Sequence, residues 1–139
     1  MKKIIILILA VFYFNPVIAE DDSYDIAHKL ANCSGTFEIS AQVFSLIGGG
    51  EAQTTAVKEK ANGWLIASIV FFMGDGMTPE GSWSSAQGVK DTTMSYWMAR
   101  LESSHDPYAS DEENMESFFI LVEELGDINT NECIIYDEM

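Results

Sequence analysis

Two cysteines, Cys33 and Cys133, are the only ones in the chain, and they stand near opposite ends of it. Two thiols so far apart make neither a redox CxxC pair nor a zinc site. In an exported protein a disulfide between them is the default, with two buried free thiols as the alternative. Such a bond would close a loop of about 100 residues. Restricting the unfolded chain by that much gives roughly 4–5 kcal/mol as an upper figure. It would also tie the last segment of the chain back onto the first.

The N-terminus bears on whether the compartment is oxidising. Lys2 and Lys3 precede an apolar run from Ile4 to Phe14, which Asn15 and Pro16 break before Val17-Ile18-Ala19. This order predicts a signal peptide over 1–19, cleaved before Glu20. The alternative, a retained anchor, has too short an apolar core, since a span needs about 20 residues. Cleavage would remove two of the 7 basic residues and none of the 22 acidic ones, leaving a net charge of −17. The remainder, 20–139, suits a single acidic domain. Such a charge argues against nucleic acid, whose phosphates it would repel, and fits a basic protein partner or plain solubility. No stable membrane anchor is expected after cleavage.

Hydrophobic spacing then predicts the elements. Ile26, Leu30, Cys33, Phe37, Ala41, Phe44 and Ile47 recur at steps of three and four, one stripe of a helix over Asp22–Ile47. Cys33 faces the core on this reading. His28 and Glu38 fall off the stripe and are expected in solvent, and Gly35, opposite it, has no explanation in the sequence. Gly48-Gly49-Gly50 ends the helix, because glycine tolerates the left-handed conformation of a C-cap. The triplet lacks the Lys and Ser/Thr of a phosphate-binding loop.

A second helix is expected over Glu51–Met73. Its apolar second half, Trp64 to Met73, predicts a central position. A buried strand over Ile66–Phe72 is the alternative that periodicity leaves open. Thr78-Pro79-Glu80 can start a third helix, clearest over Ser84–Ser103, with Ala86, Val89, Thr93, Met94, Trp97 and Leu101 inward. Ser110-x-x-Glu113 is a capping box opening a fourth. Met115, Phe118, Phe119, Val122 and Leu125 form its expected inward face, and Gly126 its C-cap. Asp127–Met139 is a tail. The sum is an all-α antiparallel bundle of about four helices with one disulfide.

Chemistry is sparse. His28 and His105 have no nucleophile or metal partner in view, no HExxH or G-x-S-x-G context exists, and no catalytic residue is assigned. In the tail, Asp127, Asn129, Asn131 and Glu138 occupy oxygen-ligand positions of an EF-hand loop. Glu132 stands where such a loop needs glycine, however, and the chain ends where the exit helix would begin. No cofactor is implied. Trp83, Tyr96 and Met98 lie less clearly inward than the other aromatics and methionines, and exposed together they would form a partner-binding patch.

Ala27-His-Lys-Leu-Ala-Asn-Cys33-Ser-Gly35 and Ala61-Asn-Gly-Trp-Leu-Ile-Ala-Ser68 resemble small exported proteobacterial helical proteins of unknown function, which carry an early Ala-x-Cys-x-Gly helix. The resemblance covers the first half of the mature chain and implies a helical exported domain, with no residue roles attached. The functional expectation is an exported non-enzymatic protein that binds a macromolecular partner, in an inhibitor, immunity or chaperone-like role. The second is a cation or small-ligand carrier using the tail or a Met/aromatic pocket, and enzyme activity ranks third.

Overall fold

The computed structural model describes residues 22–134. It is an all-α bundle: α1 (Ser23–Leu46), α2 (Glu51–Gly74), α3 (Pro79–Ser103) and α4 (Asp111–Ile128), then a short π-helical segment, Asn129–Cys133. No helix among the described residues is long and apolar enough to cross a membrane. Residues 1–19, where the sequence predicts a signal peptide, lie outside the described residues.

Local chemistry sets the helix ends. The Asp22 side chain accepts from the Tyr24 amide at the start of α1, and Thr78 accepts from the Gly81 amide at the start of α3, with Pro79 at the first helical positions. Both supply an acceptor to amides that have no carbonyl within the helix. Gly48, at φ +81°, lets the chain reverse after α1. The Ser110–Glu113 capping box forms in both directions.

Helix α1 is the centre of the bundle; it packs along α2 and α3 and reaches α4 and the π-helical segment. Ser34 Oγ donates to the Ala61 carbonyl of α2 at 2.7 Å, and Ser68 Oγ of α2 donates back to the Ala27 carbonyl at 2.6 Å. These pairings run in opposite sequence directions, so the two helices are antiparallel. On another side of α1, Gly35 meets α3: a methyl group there would lie 2.8 Å from the Lys90 carbonyl oxygen and from Thr93 Cβ. The glycine that had no sequence explanation is the contact point of α1 and α3. Thr93 Oγ1 donates to Asn32 Oδ1 at 2.6 Å beside it, and Lys90 Nζ reaches Glu38 Oε2 at 3.4 Å.

Three buried clusters fill the space around α1. Ala27, Ala31, Leu65, Phe72 and Ala86 form one, and Ile39, Val43, Trp97, Leu121 and Leu125 a second. The third is Leu30, Cys33, Trp64 and Cys133, with the Cys33–Cys133 disulfide at its middle. The predicted staple is therefore present, and Cys133 is fully buried.

Several expectations change. Residues 66–72 are helical, but α2 is not central: Ile66 and Val70 are each 61% exposed. The buried position goes to α1, whose small residues admit neighbours on several sides. Its Phe44 and Ile47, at the far end of the stripe, are exposed, and Glu38 is half-buried against Lys90 instead of solvated. Helix α3 starts at Pro79, five residues before Ser84, and takes in Gly81 and Gly88. Gly126 does not end α4. The helix runs on to Ile128 and into the π-helical segment, where Thr130 Oγ1 bonds the Gly126 carbonyl.

Gly35→Ala is expected to cost about 1–3 kcal/mol, as overpacking against backbone does. Gly63→Ala, in the exposed middle of α2 with nothing within 4 Å, should instead gain about 0.5–1 kcal/mol. Urea unfolding of both variants checks the pair; equal effects would contradict the close contact.

Candidate functional site

Helix α4 lies at the edge of the bundle and meets it through Phe118, Leu121, Val122, Leu125 and Ile128. Its outer side carries Glu112, Met115, Glu116, Phe119, Ile120, Glu123 and Asp127. Their spacings of three, four, seven and eight place all seven on one stripe, about 22 Å long at 1.5 Å per residue. All are exposed; Met115 is 58%, Phe119 52% and Ile120 57% accessible. Met115 and Phe119 were expected to face inward. The helix is apolar on two sides, and Leu121 and Leu125 take the buried one. Spacing could have found the second row, since it repeats the first one step round the helix.

The charge of the chain concentrates here. No Lys or Arg follows Arg100, whereas twelve of the 22 acidic residues do. Carboxylates at the start of α4 (Asp111, Glu112 and Glu113) complement the positive end of its dipole. Glu113 also accepts hydrogen bonds from the Ser110 amide and hydroxyl, which hold its carboxyl below the usual carboxylate range.

One cation joins α4 to α3. The Arg100 guanidinium makes two parallel bonds to Glu124, Nη1–Oε1 at 2.6 Å and Nη2–Oε2 at 2.7 Å. This hydrogen bonding holds the Glu124 carboxyl below its ordinary range and raises the Arg100 guanidinium. Arg100 also sits over the rings of Tyr96 and Trp97, 5.5 and 5.0 Å from their centres. Tyr96 therefore helps position the ion pair. It does not join Trp83 and Met98 in a shared patch, although all three are exposed. Trp83 lies in the first turns of α3, about 20 Å along the helix from the other two, and Tyr96 and Met98 point to opposite sides of it.

Between α1, α2 and the end of α4 lies a cleft of about 300 Å³. Phe37, Val43, Val57, Val122 and Leu125 give it apolar walls, and Gly126 leaves a gap in one of them. At its edge Asn129 Nδ2 donates to Ser40 Oγ at 2.6 Å, while the Ser40 hydroxyl proton goes to the Thr36 carbonyl. That arrangement leaves Asn129 Oδ1 buried without a hydrogen-bond partner among the described residues.

The described members of the tail set, Asp127, Asn129 and Asn131, lie on helical backbone. Asp127 lies in the last turn of α4, and Asn129 and Asn131 lie in the π-helical segment, so successive members of the set point to different sides. Asn129 is turned inward to Ser40. Glu138 lies outside the described residues, and among those described no three His, Cys, Asp or Glu side chains are grouped to hold a metal ion. The histidines are likewise apart: His28 packs against the Tyr24 ring, and His105 is exposed in the α3–α4 turn. Asp106 beside it accepts from the Tyr108 amide and so shapes the turn.

No protein-family model, curated protein or solved structure matches the chain. The residues that carry the resemblance to small exported helical proteins have packing duties here. Ser34, Gly35, Ala61 and Ser68 form the contacts of α1 with its neighbours.

Acid should loosen α4 first. Glu113 and Glu124 have lowered folded pKa values, so their contribution is present above the ordinary glutamate range and lost as pH falls through the folded values. Between about pH 5 and pH 3, thermal melts of the wild type should fall further than those of Glu113→Gln/Glu124→Gln. Parallel pH curves would show that the two groups contribute nothing.

Proposed function

We propose that this is an exported, non-enzymatic protein that binds a basic macromolecular partner through the outer face of α4. The observation carrying this reading is the stripe itself: three large apolar side chains exposed between carboxylates, on the part of the chain that lacks any Lys or Arg. Exposed apolar residues grouped inside a charged rim are the composition of a recognition surface. The buried disulfide agrees with an oxidising compartment, and the leader-like N-terminus supplies the route there. Inhibitor, immunity and chaperone-like roles all fit such a face.

Immobilised 20–139 is expected to retain a basic protein from the extracytoplasmic fraction of the producing cell at low salt and release it at 1 M salt, where charges are screened within about 3 Å. Glu112→Gln/Glu116→Gln/Glu123→Gln should retain much less. Retention of nothing at low salt would count against the reading, as would a mature protein whose mass does not begin at Glu20.

A second reading, a small-ligand carrier, is favoured by the apolar cleft. Its volume is at the lower end for ligand sites. Ligand binding raises the melting temperature by mass action, so 1-octanol should stabilise the wild type in a thermal melt. Gly126→Leu, whose side chain would grow into the gap, should abolish the shift; a shift retained in that variant would place the alcohol elsewhere.

A further inference from the structure

The geometry points to a cationic amphipathic α-helix as the occupant of the outer face of α4, lying along it as an added helical layer. This inference rests on the proposed partner-binding role and names the partner's chemistry.

Shape comes first. Met115, Phe119 and Ile120 are exposed within about one and a half turns of α4, and the carboxylates Glu112, Glu116, Glu123 and Asp127 carry the stripe along the axis to either side of them. A second helix laid along α4 can meet the apolar centre and the carboxylates at both ends together, whereas a loop or a sheet edge meets only part of that length. Four turns of partner, about 22 Å, would cover the stripe from Glu112 to Asp127.

Charge sets the sign of the partner. Glu112, Glu116, Glu123 and Asp127 lie in the same stripe as the apolar residues. A helix with Lys or Arg flanking an apolar row can bury that row and pair its cations with these carboxylates at once. No cation of α4 itself competes, because every Lys and Arg of the chain precedes residue 101. Arg100 is already engaged with Glu124, which faces α3 and not the outer stripe.

The same charges argue against two other occupants. A second copy of this chain would bring one acidic stripe against another, with like charges opposed across the interface. An anionic membrane surface would repel the stripe, and entering the acyl region would drag its carboxylates out of water.

The test uses the 20–139 protein and a synthetic peptide of about 18 residues, built from Leu and Lys in helical amphipathic order. Its comparators are a scrambled peptide of the same composition, a Leu/Glu version, poly-lysine and anionic vesicles. Calorimetry should show the Leu/Lys helix binding about tenfold or more tightly than the scramble, the scale of losing a central interface contact. The Leu/Glu peptide and the vesicles should not bind. Phe119→Ser/Ile120→Ser should remove the preference for the ordered peptide, and amide shifts in residues 111–127 should report the contact. Circular dichroism confirms that the variant is folded; should it not be, Phe119→Lys/Glu116→Lys serves, by reversing the sign of the face. Equal binding of ordered and scrambled peptides overturns the helix inference. If poly-lysine still binds to α4 in that case, the basic-partner reading survives; if neither binds there, both fail. Sedimentation showing a wild-type dimer that Phe119→Ser/Ile120→Ser abolishes would overturn the inference in favour of a second copy.

Discussion

The close approach of α1 to its neighbours is the constraint on which the rest of the structure depends. Ser34 and Ser68 each send a hydroxyl across the α1–α2 seam to a backbone carbonyl of the other helix. A helix carbonyl already accepts within its own helix, so the added bond needs the two backbones near each other. Alanines, serines and Gly35 make that possible. A helix lined by large apolar residues on every side would hold its neighbours further away and could not use these hydroxyls. Because α1 carries small residues on more than one side, it can hold α2 and α3 together, with α4 and the π-helical segment reached at its second half.

This also explains what was legible in the sequence. Helix number, most boundaries and the staple followed from spacing, caps and compartment, because those signals are local. Which helix is central did not follow. Apolarity pointed to α2, whose Trp64–Met73 segment is apolar nearly all round. Burial went instead to α1, which hides Ser34, Gly35, Thr36 and Ser40. A buried serine donating to a carbonyl looks like a surface residue in a hydropathy pattern, and a glycine at a helix contact looks like a weakness. Both become intelligible only when the neighbouring helix is in place. The exposed α2 residues are the converse: Ile66 and Val70 have no neighbour within the described residues to cover them.

The candidate site was hidden for a related reason. On α4, Phe118 and Phe119 are adjacent in sequence but belong to opposite tasks. Phe118 packs against the core cluster, and Phe119 stands in solvent. With apolar residues on two sides, periodicity had no ground for choosing the buried side. Tertiary placement chose it through Leu121 and Leu125, which meet Ile39, Val43 and Trp97.

Helix α4 can offer its outer face because its position is set by groups that do not use that face. The Ser110–Glu113 box fixes its start, the Arg100–Glu124 pair joins its flank to α3, and Cys133, just beyond its end, is bonded to Cys33 in the core. A peripheral helix held by buried area alone would have to turn its apolar residues inward. Here the disulfide limits how far the end of α4 can move from α1, so part of its apolar surface can remain exposed without the helix leaving the bundle. On that account the staple does more than restrict the unfolded chain. It lets an edge helix keep large apolar side chains outward, on the surface where recognition is proposed.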